Sequence, residues 1–265
     1  MPSDHSGVLL RNRRFSAGLF SSTFRAPQLA AEVLAGQFAM LEIPGRARPY
    51  LRRAYSIADA DAAAGEIELM VKTIGPGTAA LEELPEGSPV RLLGPLGNGF
   101  TVDGLSARTR VAAVAGGIGA APFPLLYRAL ADRGVRADLF LGGRGRRDLA
   151  FAPRLAKLVT GDTILTTEDG SLGRAGLVTE AFRARAATVR YARVFACGPM
   201  PMFAALAGIA AELGLAAEFS TEARMGCGFG VCLGCVIPGR EKPFLVSCIE
   251  GPILAPEKIA WERVR

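Results

Sequence analysis

Four of the five cysteines in this 265-residue chain, Cys227, Cys232, Cys235 and Cys248, stand in the order C-x4-C-x2-C-x12-C. Three of them fall within MGCGFGVCLGC (residues 225–235), beside four glycines. A stretch of that composition reads as a loop, not as a helix or strand. The spacing is that of plant-type 2Fe–2S ferredoxins. Two irons and two sulfides need four thiolates converging on one small volume. Gly226, Gly228, Gly230 and Gly234 are expected to supply positive φ and to let backbone N–H groups approach the sulfurs. Structural disulfides are disfavoured in a reducing compartment. A four-cysteine zinc site usually carries two C-x2-C knuckles, and one is present, so zinc stays open as the second reading. The fifth cysteine, Cys197 in ACGPM, reads as a small residue closing a strand.

Histidine is almost absent. The single one, His5, falls in an N-terminus expected to be frayed. A Ser-His-Asp triad, a Cys-His pair, a His-ligated zinc and a Rieske centre are therefore excluded.

Glycine-rich turns supply a second kind of chemistry. In TRVAAVAGGIGAAP (109–122), Gly116, Gly117 and Gly119 sit where an apolar strand meets a helix, a place where backbone can approach a pyrophosphate. The G-x-G-x-x-G fingerprint is not matched. No acidic residue ends the next strand, where GGRGRRD stands instead. Its arginines Arg144, Arg146 and Arg147 read either as a solvated turn or as a seat for a 2′-phosphate. In the N-terminal part, IGPGTAAL (74–81) is a glycine loop opening a helix with Thr78 near its start. RRAYSIA (52–58) puts arginine, tyrosine and serine close together on one strand.

The elements that must position these residues fall into three blocks. Residues 1–105 alternate in short apolar segments broken by Gly and Pro, the pattern of a small antiparallel β-barrel. Residues 106–215 alternate strand and helix, as in a parallel α/β nucleotide-binding domain, with DLAFAPRLAKL expected as one of the helices. Residues 216–265 form a small C-terminal subdomain around the cysteines. Thirty-one basic against 25 acidic residues give a net charge of +6. The arginines are scattered without a lysine-rich arm, so no nucleic-acid partner is expected. No apolar N-terminal run and no continuous spanning segment appear, so a cytoplasmic protein without a membrane span is expected.

Taken as an ordered set, R-x-Y-S (53–56), G-x-G-T (75–78), GGIGAAP (116–122) and CGPM (197–200) resemble the ferredoxin–NADP⁺ reductase superfamily. EARMGCGFGVCLGC followed by VSCIEGPIL is similar to one branch of it, the electron-transfer subunits of NAD-dependent (type B) dihydroorotate dehydrogenase. QFAMLEIPG, LRRAYSI, GPLGNGF and TTEDGSLGRAGLVTE resemble that branch too, so the likeness covers nearly the whole chain. Ala54 departs from the proline common there. The resemblance implies an FAD-binding barrel, NAD(H) as co-substrate and a 2Fe–2S cluster held by Cys227, Cys232, Cys235 and Cys248. By the same likeness Arg53 pairs with the FAD pyrophosphate, Tyr55 lies against the flavin or its ribityl chain, and Ser56 hydrogen-bonds near flavin N5. Ala54 stands between them. Gly77 and Thr78 hold phosphate through backbone and hydroxyl. Gly117, Gly119 and Ala120 cradle the dinucleotide, Cys197, Gly198 and Pro199 line its nicotinamide side, and Asp169 and Gly170 face it. The implied function is electron transfer between dihydroorotate oxidation and NAD⁺ in pyrimidine biosynthesis. The implied partner is an FMN-containing dihydroorotate dehydrogenase catalytic subunit, two of each in a heterotetramer. No catalytic acid or base is implied. The alternatives are a flavin/2Fe–2S subunit of sulfide dehydrogenase or ferredoxin:NADP⁺ oxidoreductase type, or a non-catalytic zinc or redox-sensing module.

Overall fold

The computed structural model describes residues 2–43 and 50–264. Pro44 and Gly45 of the QFAMLEIPG stretch lie outside them. Six antiparallel strands close a barrel in the order β1-β2-β5-β4-β3-β6. They are β1 (Ser3–Ser16), β2 (Leu19–Arg25), β3 (Phe38–Glu42), β4 (Arg53–Asp61), β5 (Glu66–Lys72) and β6 (Pro89–Leu96). Alternation decides which side chains go inside. Along β6, Val90 and Leu92 are buried with Phe20, Phe24, Ile57 and Leu69 in the barrel core. Helix α1 (Pro27–Glu32) packs Leu29 and Ala30 into the same core, and α2 (Pro76–Glu82) follows β5. The N-terminus is not frayed, contrary to the expectation. Ser3 to Val8 pair with β6, and His5 is buried with Nε2 3.0 Å from the Gly94 carbonyl. Barrel closure leaves β6 needing a partner, and the chain's first residues supply it.

Seven further strands form a second sheet in the order β10-β9-β8-β7-β11-β12-β15. They are β7 (Arg110–Gly116), β8 (Arg136–Gly143), β9 (Thr163–Thr167), β10 (Arg174–Ala175), β11 (Arg193–Cys197), β12 (Ala217–Ser220) and β15 (Ile253–Leu254). All pairs are parallel except β12 with β15. Strand β7 reads as an unbroken apolar run because both its faces are covered. Val111, Ala113 and Ala115 join one core cluster, and Ala112 and Val114 the other. The covering helices are α3 (Phe123–Ala131), α4 (Ala152–Leu155), α5 (Val178–Ala186) and α6 (Met200–Leu213). The segment DLAFAPRLAKL is not one helix: a 3-10 turn, Arg146–Leu149, precedes the short α4. Pro153 explains the break, since it has no N–H to continue a helix begun upstream yet suits the first turn of a new one.

After β12 the chain leaves the sheet through the cysteine loop and a hairpin, β13 (Val236–Pro238) with β14 (Phe244–Val246). It then makes α7 (Ser247–Glu250) and returns as β15. The cysteine loop is thus tethered at both ends to one sheet edge. The barrel and the second sheet meet through ionic contacts. Arg128 on α3 pairs with Asp59 on β4 at 2.7 Å, Arg154 on α4 pairs with Glu68 on β5, and the β5 terminus Lys72 pairs with Asp148 at 2.9 Å. Phe15 and Phe151 add a ring contact at 4.6 Å. Among the described residues no helix is long and apolar enough to cross a membrane.

Candidate functional site

Two grooves open where the barrel meets the sheet. The first, about 810 Å³, is lined by all six barrel residues singled out in the sequence: Arg53, Ala54, Tyr55, Ser56, Gly77 and Thr78. Its volume lies within the range of small-molecule and cofactor sites. Arg53 opens β4 and donates from Nη1 to the Leu51 carbonyl at 2.7 Å. Among the described residues no carboxylate pairs with it, so a planar, permanently charged fork stands at the groove without a counter-charge. Burial pushes the Tyr55 hydroxyl up to about 12, against the opposing pull of Arg53. It is therefore a neutral phenol in the groove lining. Thr78 is placed differently from the expectation. Its hydroxyl accepts the N–H groups of Ile74 at 2.9 Å and Gly75 at 3.1 Å and donates to the Gly75 carbonyl. The free donors at this turn are the first N–H groups of α2, which no carbonyl within the helix can take.

The second groove, about 730 Å³, runs over the carboxyl ends of the parallel strands. In open α/β sheets ligands bind there. Gly117, Gly119, Gly198 and Pro199 line it. A Cβ on Gly119 would stand 2.2 Å from the Cys197 carbonyl oxygen, so glycine is what lets the turn after β7 lie against β11. Ala120 and Cys197 are buried behind the lining, not in it. Asp169 and Gly170 also lie outside the lining. The Asp169 carboxylate accepts Ser171 Oγ at 2.6 Å and Ser171 N at 2.9 Å, and these bonds hold its carboxyl below the usual range. Of the three arginines after β8, Arg144 alone reaches the groove. Arg146 donates to the Ser171 carbonyl at 2.8 Å.

The cysteines come together as two pairs. The Cys232 N–H donates to Cys227 Sγ at 3.4 Å, and the Cys248 N–H donates to Cys235 Sγ at 3.4 Å. Burial alone would raise the Cys227 thiol. The N–H groups of Cys232, Phe229 and Val231 and the Cys232 side chain outweigh it and bring the thiol down to about 6. Burial and the adjoining Cys235 thiol push Cys248 up to about 12. Two thiol pairs with amide donors fit a binuclear iron–sulfur group, with one pair for each iron. Gly228 and Gly230 take the positive φ expected of them, whereas Gly226 and Gly234 do not; Leu233, at φ 53°, takes the turn beside Gly234. The loop rests on the barrel. A Cβ on Gly228 would meet Met40 at 2.5 Å, and Cys235 and Cys248 pack with Phe38, Met40 and Leu96.

Three residues line both grooves: Lys72, Ile118 and Glu222. Lys72 belongs to no motif read in the sequence; Ile118 falls within GGIGAAP and Glu222 opens EARMGCGFGVCLGC, but neither is singled out there. Each reaches the junction from a different element, so no local spacing could have marked them. Burial raises the Glu222 carboxyl, and Cys197 is raised first by its own burial and then by Glu222. Phe38 and Met225 line the first groove and also pack in the cluster that holds Cys235 and Cys248, so the first groove shares residues with both the second groove and the cysteines.

Comparison with known proteins agrees with this layout. Residues 9–100 match the oxidoreductase FAD-binding domain family, and residues 222–260 match the iron–sulfur cluster binding domain of dihydroorotate dehydrogenase B. The fold is similar to that of an NADH-dependent reduced ferredoxin-NADP oxidoreductase, with a TM-score of 0.85 and 24% identity over 97% of this chain and 90% of that one. It is also similar to a Neisseria gonorrhoeae ferredoxin NADP⁺ reductase, with a TM-score of 0.67 and 20% identity over 80% of this chain and 92% of that one. The electron transfer subunit of dihydroorotate dehydrogenase B (NAD(+)) from Bacillus caldolyticus is 37% identical over 220 residues, covering 82% of this chain and 83% of the relative. That of Desulforamulus reducens is 33% identical over 242 residues, covering 90% and 91%. This chain, an NAD(P)-linked flavin oxidoreductase with an iron–sulfur binding domain, belongs to the family of dihydroorotate dehydrogenase B electron transfer subunits.

Proposed function

We infer that the chain carries electrons between a partner subunit that oxidises dihydroorotate and NAD⁺. The observation that supports this most directly is the order of the sites: dinucleotide groove, flavin groove and cysteine pairs, each sharing lining residues with the next. FAD, when bound, takes up or releases electrons both as a pair and singly, so it matches a two-electron nicotinamide to a one-electron cluster.

The residues have the following proposed tasks. Arg53 and the first turn of α2 at Gly77 and Thr78 hold the FAD diphosphate, while Ala54, Tyr55 and Ser56 pack and orient the flavin. Gly117 and Gly119 let backbone approach the dinucleotide, with Ala120 and Cys197 supporting that turn from behind. Gly198 and Pro199 face the nicotinamide end. Asp169 and Gly170 act from outside, by fixing the turn after β9. Glu222, at the junction, keeps a proton to higher pH than an ordinary carboxyl and can hold it beside the reacting atoms. Cys227, Cys232, Cys235 and Cys248 hold the 2Fe–2S cluster.

The partner is the FMN-containing catalytic subunit, joined two-to-two in the cytoplasm. Phe229, Val231, Leu233 and Ile249, exposed on and beside the cysteine loop, form an apolar surface suited to it. Co-expression of the two subunits and isolation of the complex tests the reading. A complex that reduces NAD⁺ when given dihydroorotate, where neither subunit alone does so, is the expected result. A chain that stays apart from that subunit, with no gain in NAD⁺ reduction, contradicts it.

A further inference from the structure

Two arginines stand side by side at the head of β4 and are engaged differently. Arg53 lines the first groove, as does Leu51, whereas Arg52 between them does not. Every nitrogen of the Arg52 guanidinium is taken up by carboxylates. It donates from Nη1 and Nη2 to the two carboxylate oxygens of Asp4, at 2.9 and 3.0 Å. It donates from Nε and Nη2 to Glu42 Oε2, at 3.0 and 2.9 Å. Asp4 belongs to β1 and Glu42 to β3, so this one side chain ties the head of β4 to two other strands of the barrel. Arg91 on β6, in register with both Glu42 and Ser6, adds a bond to Asp4 at 2.6 Å. Hydrogen bonds from Arg52 first, and from Arg91, outweigh burial and bring the Asp4 carboxyl down to about 2. Isolated surface ion pairs contribute little, but a two-pronged arginine–carboxylate contact inside a network fixes geometry.

The next residue shows what that clamp holds still. Arg53 Nη1 donates to the Leu51 carbonyl at 2.7 Å and to the Arg52 carbonyl at 3.3 Å. Its seat is thus the backbone that the Arg52 side chain anchors. The ladder pairs Arg53 with Leu41, one residue before Glu42, so the clamp grips the chain where the strand begins. A long guanidinium without such a seat has to be ordered by its ligand, at a cost in rotamer freedom.

We propose that Arg52, held by Asp4 and Glu42, is a positioning residue for cofactor binding: it fixes the carbonyls on which the Arg53 guanidinium rests, so that this fork meets the FAD diphosphate already in place. The proposal rests on the reading that Arg53 meets that diphosphate. It also gives the N-terminal strand a task in the site, since one half of the clamp is Asp4.

The test measures FAD affinity by flavin fluorescence on the flavin-depleted full chain. It compares wild type, Arg52→Gln, the double variant Asp4→Asn with Glu42→Gln, Arg53→Gln, and the double variant combined with Arg53→Gln. Neutralising both carboxylates leaves Arg52 in place and makes the region more positive, so simple attraction of an anionic cofactor would tighten binding. Loss of the clamp instead weakens FAD binding by about tenfold, and Arg52→Gln does the same. In the Arg53→Gln background the two neutral changes shift affinity by less than about twofold, because the clamp acts through Arg53. Should the double variant fail to fold, Asp4→Asn alone keeps the Glu42 contacts and carries the same comparison, with a loss of about threefold. FAD affinity that is unchanged or higher without the clamp overturns the proposal. An equal loss in both backgrounds also overturns it, because the carboxylates would then support the barrel and not the arginine. An Arg53→Gln chain that binds FAD like wild type overturns the reading of Arg53, and the task of Arg52 with it.

Discussion

At the scale of single residues, the thiols carried the clearest message. Cysteine spacing is a local property, and the four residues it marked are the two pairs that the fold assembles. Replacing Cys248 by serine is expected to remove nearly all iron and labile sulfide, because the cluster loses a ligand from its more buried pair. FAD retention and NADH oxidation by ferricyanide should persist, since Cys248 lines neither groove. Metal analysis alongside the flavin spectrum checks this; full iron content in the variant contradicts the ligand assignment. Arg53, Tyr55 and Ser56 were equally legible as a short motif. Lys72 was not, because it is a solitary residue, and Ile118 and Glu222, though inside motifs, take their meaning from what lies across the groove. Thr78 shows a finer limit. The motif placed it at the helix start, but only the structure shows its hydroxyl bound to its own loop.

At the scale of elements, period-2 and strand–helix alternation foretold a barrel followed by a parallel sheet, and both are present. Two features escaped that pattern. The segment containing Pro153 broke into two short pieces, and β12 and β15 joined the sheet from either side of the cysteine loop. A two-residue strand has no periodicity to detect. The amino ends of the parallel strands are tied together by a residue that no motif announced. Asp138 on β8 is fully buried. It takes the Arg110 fork at 2.7–3.1 Å, the Tyr191 hydroxyl at 2.6 Å and the Asp162 N–H at 2.9 Å. Asp138→Ala leaves the Arg110 charge and the Tyr191 hydroxyl without their partner, and is expected to destabilise the fold by about 3–5 kcal/mol. Denaturant unfolding measures this directly. A loss below about 1 kcal/mol, the scale of an exposed ion pair, would show that the network contributes no more than a surface bridge does.

For the whole molecule, the arrangement of parts is the functional statement. The two grooves lie along the junction of barrel and sheet, which share a buried apolar cluster with Leu19, Ala58 and Met70 on one side and Ala121 and Phe123 on the other. The Asp59–Arg128, Glu68–Arg154 and Lys72–Asp148 pairs flank it. The cysteine loop, anchored at both ends to the sheet, leans on the barrel residues Phe38, Met40 and Leu96, of which Phe38 also lines the first groove. The proposed path for electrons follows these shared residues from one groove to the other and on to the cysteines. The measurement that bears most directly on this is an anaerobic titration of the isolated chain with NADH, followed by visible absorbance and by EPR at low temperature. Bleaching of the flavin bands together with the signal of a reduced 2Fe–2S cluster is the predicted result. Flavin that bleaches while the cluster stays oxidised, or a preparation holding zinc in place of iron, would contradict the account.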